Sequence, residues 1–186
     1  MSREKEIRAV YTDQTIRVYQ AYNETIAREA VELGTFGEHF KLGRMTWIKP
    51  SFLWMMYRYS WASKEGQEHI LAIDIKRQAF DEIVRTAVIS SYREELPISF
   101  EEWQYQVKHS KVRVQWDPEK DINGNNLPYR SIQLGLRNEA VINYVRDWIV
   151  HIEDITDYVK SLDEKRRAGI DITALLPQEQ VYDIKD

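Results

Sequence analysis

The chain has 186 residues, 43% of them hydrophobic and 30% charged, with 7 Gly and 5 Pro. That balance excludes collagen-like, low-complexity and disordered classes and allows one full hydrophobic core. Lys plus Arg total 26 against 30 Asp plus Glu, a net charge of −4, and there is no Cys. The charge footprint of a dedicated duplex binder is therefore missing, although a local basic pocket stays open. Disulfides, thiolate nucleophiles, iron–sulfur clusters and Cys-ligated zinc are excluded. The N-terminus MSREKEIRAVYTD lacks the apolar core of a signal peptide. The most apolar stretch, residues 51–61, contains Arg58 and is far short of the ~20 residues a spanning helix needs. The expectation is a soluble, cytoplasmic protein with no membrane partner.

In chain order, residues 15–21 alternate Ile16 and Val18 with Arg17 and Tyr19, which predicts a strand. Asn23 is placed to cap a helix carrying Ile26, Ala27, Ala30 and Val31 on one stripe, closed by Gly34. Residues 34–41 read as a loop and 44–48 as a short strand. Pro50 suits the first position of a mostly apolar helix running through residues 51–62. Residues 69–75 (HILAIDI) form the clearest strand pattern, followed by an amphipathic helix over residues 78–92. Ser99 and Glu102 make a capping box for the next helix.

Residues 111–117 (KVRVQWD) alternate as a strand, and Asn123–Gly124 marks an irregular turn into a partner strand at 129–136. A short helix over residues 138–146, a strand over 148–155 and a charged helix over 156–167 follow. The residues after Gly169 read as a surface-draped or mobile tail. The organisation expected is one domain over residues 1–168 with a tail over 169–186. Its class is α+β, with a mostly antiparallel or mixed sheet and flanking helices.

No dinucleotide-binding, Walker, zincin or serine-hydrolase motif is present. His39, His69, His109 and His151 stand singly, and no metal site is expected. The run Asp117, Glu119, Asp121, Asn123 and Asn125 misses the calcium-loop register, because Ile122 takes the glycine position and Pro128 the glutamate position.

Three blocks remain. In GRMTWIKPSFLWMMYR, Arg44 and Lys49 precede a helix start whose dipole is already positive. They either point to solvent or, with the hydroxyl of Ser51, hold an anion. In KVRVQWDPE and YRSIQLGL, Arg113, Gln115, Asp117, Glu119, Arg130 and Gln133 are unusually polar for paired strands. A buried ion pair between Arg130 and Asp117 would explain them, and so would a polar cleft wall. In TIRVYQAY, Arg17, Tyr19 and Gln20 form a polar–aromatic set on the first strand.

The blocks IRVYQAY, GRMTWIKPSFLWMMYR, LAIDI, VRVQWDPE and YRSIQLGL resemble a family known as a domain of unknown function, over roughly residues 7–156. Their order is also similar to the ADP-ribosyltransferase fold, in which a split sheet holds NAD in a cleft. That resemblance implies NAD as cofactor and substrate, with Gln20 standing where that family has Arg and Gln133 where it has a catalytic Glu. It assigns Gln133, Glu119 and Arg130 to catalysis around the scissile ribose. Arg44, Lys49 and Ser51 would hold the pyrophosphate, Trp47 or Tyr57 would stack on a ring, and Gln20 and Arg17 would complete the cofactor set. The function so implied is an NAD-using transferase of the ADP-ribosyl type. The alternatives are an NAD-independent nucleotide- or RNA-processing enzyme with a cationic phosphate pocket, and a non-catalytic module binding a ligand or partner. A nucleotide is the expected ligand, and nucleic acid stays an open partner.

Overall fold

A computed structural model describes residues 4–184; the ends of the expected domain and tail, residues 1–3 and 185–186, lie outside the described residues. The first elements are β1 (Arg8–Ala9), β2 (Thr15–Tyr22) and α1 (Glu24–Leu33). Asn23 caps α1 by accepting from the Ile26 amide, and Gly34 ends it at φ 71, the left-handed conformation that glycine adopts without a Cβ clash. β3 (Thr46–Ile48) leads into α2 (Phe52–Arg58), whose cap is Ser51, so Pro50 lies just before the helix and not at its first position. This helix is shorter than its apolar pattern predicts. Ser60, Trp61 and Ala62 all have positive φ, and that turn brings Trp61 and Ala62 into the core by another route.

β4 (His69–Lys76) and α3 (Arg77–Thr86) follow. The expected helix through residue 92 stops early because Val88 and Ile89 become β5, a parallel partner of a later strand. α4 (Phe100–His109) begins at Ser99, whose Oγ accepts from the Glu102 amide. Only half of the capping box forms, since the Glu102 carboxylate accepts instead from Gln106 Nε2 at 2.9 Å. β6 (Val112–Lys120) and β7 (Asn126–Leu136) make a hairpin. In its turn the Asp121 carboxylate accepts from the amides of Asn123 and Asn125. α5 (Glu139–Asn143), a π turn (Tyr144–Trp148), β8 (Ile149–Asp154), α6 (Thr156–Arg167), a 3₁₀ turn (Thr173–Leu175) and β9 (Gln180–Val181) complete the α+β chain.

The strands form a three-stranded antiparallel sheet in the order β2-β4-β8, a four-stranded mixed sheet in the order β3-β7-β6-β5, and the small pair β1-β9. One backbone bridge joins the two larger sheets, from the Tyr19 amide to the Lys49 carbonyl at 3.0 Å. Ile16, Val18, Leu71, Ile73 and Ile75 from one sheet meet Ile132, Leu134 and Leu136 from the other in the main core. The opposite face of the three-stranded sheet carries Tyr19, Ala21, Ile70 and Ala72, which pack with Met55 and Met56 of α2 and Val159 and Leu162 of α6.

The tail is strapped to this body. Ile172 and Tyr182 are buried. β9 pairs with β1, Arg77 Nε donates to the Tyr182 hydroxyl at 2.9 Å, and that hydroxyl donates to Asp81.

Candidate functional site

Beyond the single Tyr19–Lys49 bridge, β2 and β3 diverge and leave a crevice between the two sheets. It has two adjoining lobes, of about 650 and 660 Å³, which share Ala21, Tyr22, Met45, Thr46 and Gln67. One lobe opens toward Arg44 and Lys41, the other toward Trp47, Trp54, Arg58, Gln115 and Gln133. Among the described residues no Asp or Glu lines either lobe, although the chain has 30 acidic residues. Among the described residues neither Arg44 nor Arg58 has an ion-pair partner. The crevice therefore combines positive charge, aromatic faces and amides. At its centre Gln67 keeps a buried carbonyl oxygen with no partner.

Two amide devices shape the walls. Gln20, 3% exposed, spans the gap between the sheets. Its Nε2 donates to the Trp47 carbonyl at 3.0 Å and the Tyr22 hydroxyl at 3.1 Å, while its Oε1 accepts from the Tyr144 hydroxyl at 2.7 Å. With all those groups satisfied, Gln20 fixes the distance between the walls. Gln115 and Gln133 lie opposite each other on β6 and β7, so both side chains leave the same face. The carboxylate of Asp117 accepts from Gln115 Nε2 at 2.7 Å and Gln133 Nε2 at 3.1 Å. A carboxylate only accepts, so both amide nitrogens turn toward it and both carbonyl oxygens turn away.

Asp117 belongs to a second polar group sealed beneath α2. Lys49 Nζ, with the residue 0% exposed, donates to Asp117 at 3.2 Å and to the Ser131 carbonyl at 3.3 Å. It also lies 4.2 Å from the centroid of the Trp54 ring. Burial lowers the Lys49 pKa to about 8 against the opposing pull of Asp117 and Glu119. Next to it, Ser51 Oγ donates to Glu119 at 2.7 Å and accepts from the Trp54 amide at 3.3 Å. Glu179, from the tail, accepts from the Phe52 amide at 2.7 Å. Burial, together with the charge of Glu119, pushes the Glu179 carboxyl up to about 8.

The crevice thus collects Gln20, Arg44, Trp47 and Gln133 from the residues expected at a site. The others lie elsewhere. Lys49 faces neither solvent nor a cavity but holds Asp117, so the buried ion pair considered for Arg130 is made by Lys49. Arg130 leaves the opposite side of β7 from Gln133, by strand alternation, and donates to the Trp116 carbonyl at 3.1 Å. Glu119 is buried at a β-bulge, held by Ser51 and by the Lys120 amide at 2.9 Å. Ser51 is occupied as the α2 cap. Tyr57 donates to the Ile122 carbonyl at 2.6 Å, with its ring against Gly124. Arg17 pairs with Asp74 through two bonds of 2.8 and 2.9 Å.

Conversely, Gln67, Arg58, Tyr22 and Trp54 line the crevice without having been singled out as binding residues. Trp54 falls within the mostly apolar helix pattern of residues 51–62, which does not mark it as a crevice residue. The one signal available was the shared phase of Gln115 and Gln133 across the hairpin turn. Among the described residues no helix is long and apolar enough to cross a membrane. The family described as Domain of unknown function (DUF4291) matches residues 6–182. No curated protein matches the chain.

Proposed function

This chain belongs to the DUF4291 family, and we propose that its crevice binds a nucleotide, with NAD as the donor in an ADP-ribosyl-type transfer. The observation that carries this reading is a crevice lined by cations and aromatic rings and free of carboxylates, in a chain of net charge −4. Arg44 and Arg58 supply guanidinium forks for phosphate oxygens. Trp47, Trp54 and Tyr22 supply ring faces for a base. The outward carbonyl oxygens of Gln115 and Gln133 accept from ribose hydroxyls or from the carboxamide of nicotinamide. In the transfer, the bond from C1′ to nicotinamide breaks with its electron pair leaving on nicotinamide. The acceptor forms the new bond at C1′ and releases its proton to solvent water.

The chemistry has a weak point in that arrangement. Gln133 carries no charge to favour a cationic sugar, and the nearest carboxylate, Asp117, is neutralised by Lys49. Turnover by this route is therefore slow. The same lack of a wall carboxylate favours a second reading, an NAD-independent nucleotide- or RNA-processing role in which the arginines act on phosphate.

Calorimetric titration with NAD, followed by assay for released nicotinamide, separates the two. Under the first reading NAD binds, Arg44→Ala and Arg58→Ala each weaken it about tenfold, and nicotinamide accumulates. Under the second, phosphorylated RNA binds with steep salt dependence while NAD stays intact. No heat with NAD or RNA removes both. Binding of NAD without release leaves the crevice as a ligand-binding module.

A further inference from the structure

The sheet face that carries Gln115 and Gln133 continues past Trp47 to two more cations. Arg113 lies on β6 two residues before Gln115, opposite Gly135, and Arg137 follows two residues after Gly135. Strand alternation puts both arginines on the face of the two glutamines, Arg113 about 7 Å beyond Gln115 and Arg137 about 13 Å beyond Gln133. The Trp47 ring lies over Gly135, where a Cβ would meet it at 2.8 Å, so Trp47 stands between the crevice and this pair.

Arg113 Nη2 and Arg137 Nη1 both donate to one neutral acceptor, the Val107 carbonyl in the last turn of α4, each at 3.4 Å. Among the described residues neither has a carboxylate partner. Arg113 Nε is buried with no acceptor, and burial together with the charge of Arg137 lowers the Arg113 pKa. A helix C-terminus carries about half a negative charge, too little to balance two guanidiniums. Buried donors are normally satisfied, so an orphaned Nε beside an uncompensated pair of cations marks an acceptor that the chain does not supply. Over the pair, α4 has no fully buried residue.

We propose that Arg113 and Arg137 form a phosphoryl-binding subsite on this sheet face beyond Trp47, outside the residues that line the two lobes. Its ligand is a phosphate ester, whose charge matches two guanidiniums better than a single carboxylate does and whose several oxygens match their forks. The phosphate is carried either by the crevice ligand or by its reaction partner. The inference rests on the nucleotide reading only for where the rest of that ligand lies.

The test titrates inorganic phosphate and pyrophosphate into the full chain and into Arg113→Gln and Arg137→Gln, with circular dichroism to confirm the fold. Each substitution is expected to weaken binding about tenfold. Arg137→Gln carries the test if the more constrained Arg113→Gln does not fold. Equal binding by the wild-type chain and Arg137→Gln, or no binding by the wild-type chain, overturns the proposal. NADP binding more tightly than NAD in the wild type, and equally in Arg137→Gln, puts the phosphate on the crevice ligand. A 5′-phosphorylated dinucleotide binding to the NAD-loaded protein, with NADP and NAD equal, puts it on the partner. Loss of phosphate binding in Arg137→Gln with no NAD binding by the wild type removes the NAD reading and leaves the subsite standing.

Discussion

Two polar groups share one face of the four-stranded sheet and differ in what satisfies them. Beneath α2, Lys49, Ser51, Asp117 and Glu119 find their partners within the chain and lie almost out of solvent. A few ångströms away, Gln115 and Gln133 keep their carbonyl oxygens free at a crevice that Arg58 and Trp54 also line. Both groups arise from the same strands and from similar residue types. The difference is α2: its apolar face closes one group and stops short of the other. A polar residue in a strand is thus structural or available according to what covers it.

The largest effect expected from breaking that contrast is Lys49→Ala. It leaves Asp117 with a buried, unpaired charge, a loss on the order of 3–5 kcal/mol readable in denaturant unfolding. If the cluster under α2 were a binding site instead, the substitution would change ligand affinity more than stability.

A second test uses pH. Glu179 is held protonated in the folded chain up to about pH 8, whereas the unfolded carboxyl ionises near the ordinary value of 4.5. Between those pH values the folded state binds the extra proton, so stability is greatest below the lower value and falls as pH rises toward the upper one. The fall is on the order of a few kcal/mol, and Glu179→Gln is expected to flatten it in unfolding curves taken from pH 5 to 8.

Gly135→Ala sharpens the comparison on the open side. Its Cβ would sit 2.8 Å from the Trp47 ring and push that ring out of place, at about 1–3 kcal/mol. Because Trp47 lines the crevice, nucleotide affinity is expected to fall along with the melting temperature. The smallest effect is that of Ser51→Ala, which removes the α2 cap at about 1 kcal/mol and takes one of the two donors from Glu119, leaving the Lys120 amide. Its melting temperature should drop with little change in the ligand response of the crevice.

Much of the fold is legible from local patterns. β2 and α1 with its Asn23 cap lie where alternation and capping place them, and α6 spans Thr156–Arg167, the bounds read for the charged helix. The misreadings occur where distant contacts overrule local preference. α3 ends at Thr86 because Val88 and Ile89 pair with β6, a partner more than twenty residues ahead. The tail, which the sequence leaves as either surface-draped or mobile, is held on the body by Ile172, Tyr182 and its pairing with β1. Of the residues named from sequence, Gln20, Arg44, Trp47 and Gln133 line the crevice, while Glu119, Arg130, Lys49, Ser51, Tyr57 and Arg17 do not.

By itself the amino-acid order determined the class of elements, their caps and which strand faces are apolar, since these depend on neighbours within a few residues. Only the tertiary structure decided that Lys49 is an internal counter-ion, that Gln20 spans two sheets and that Arg113 and Arg137 converge on one carbonyl. Those outcomes depend on whether water, a carboxylate or a carbonyl stands within about 3 Å of a charged atom, and that neighbour comes from a part of the chain tens of residues away.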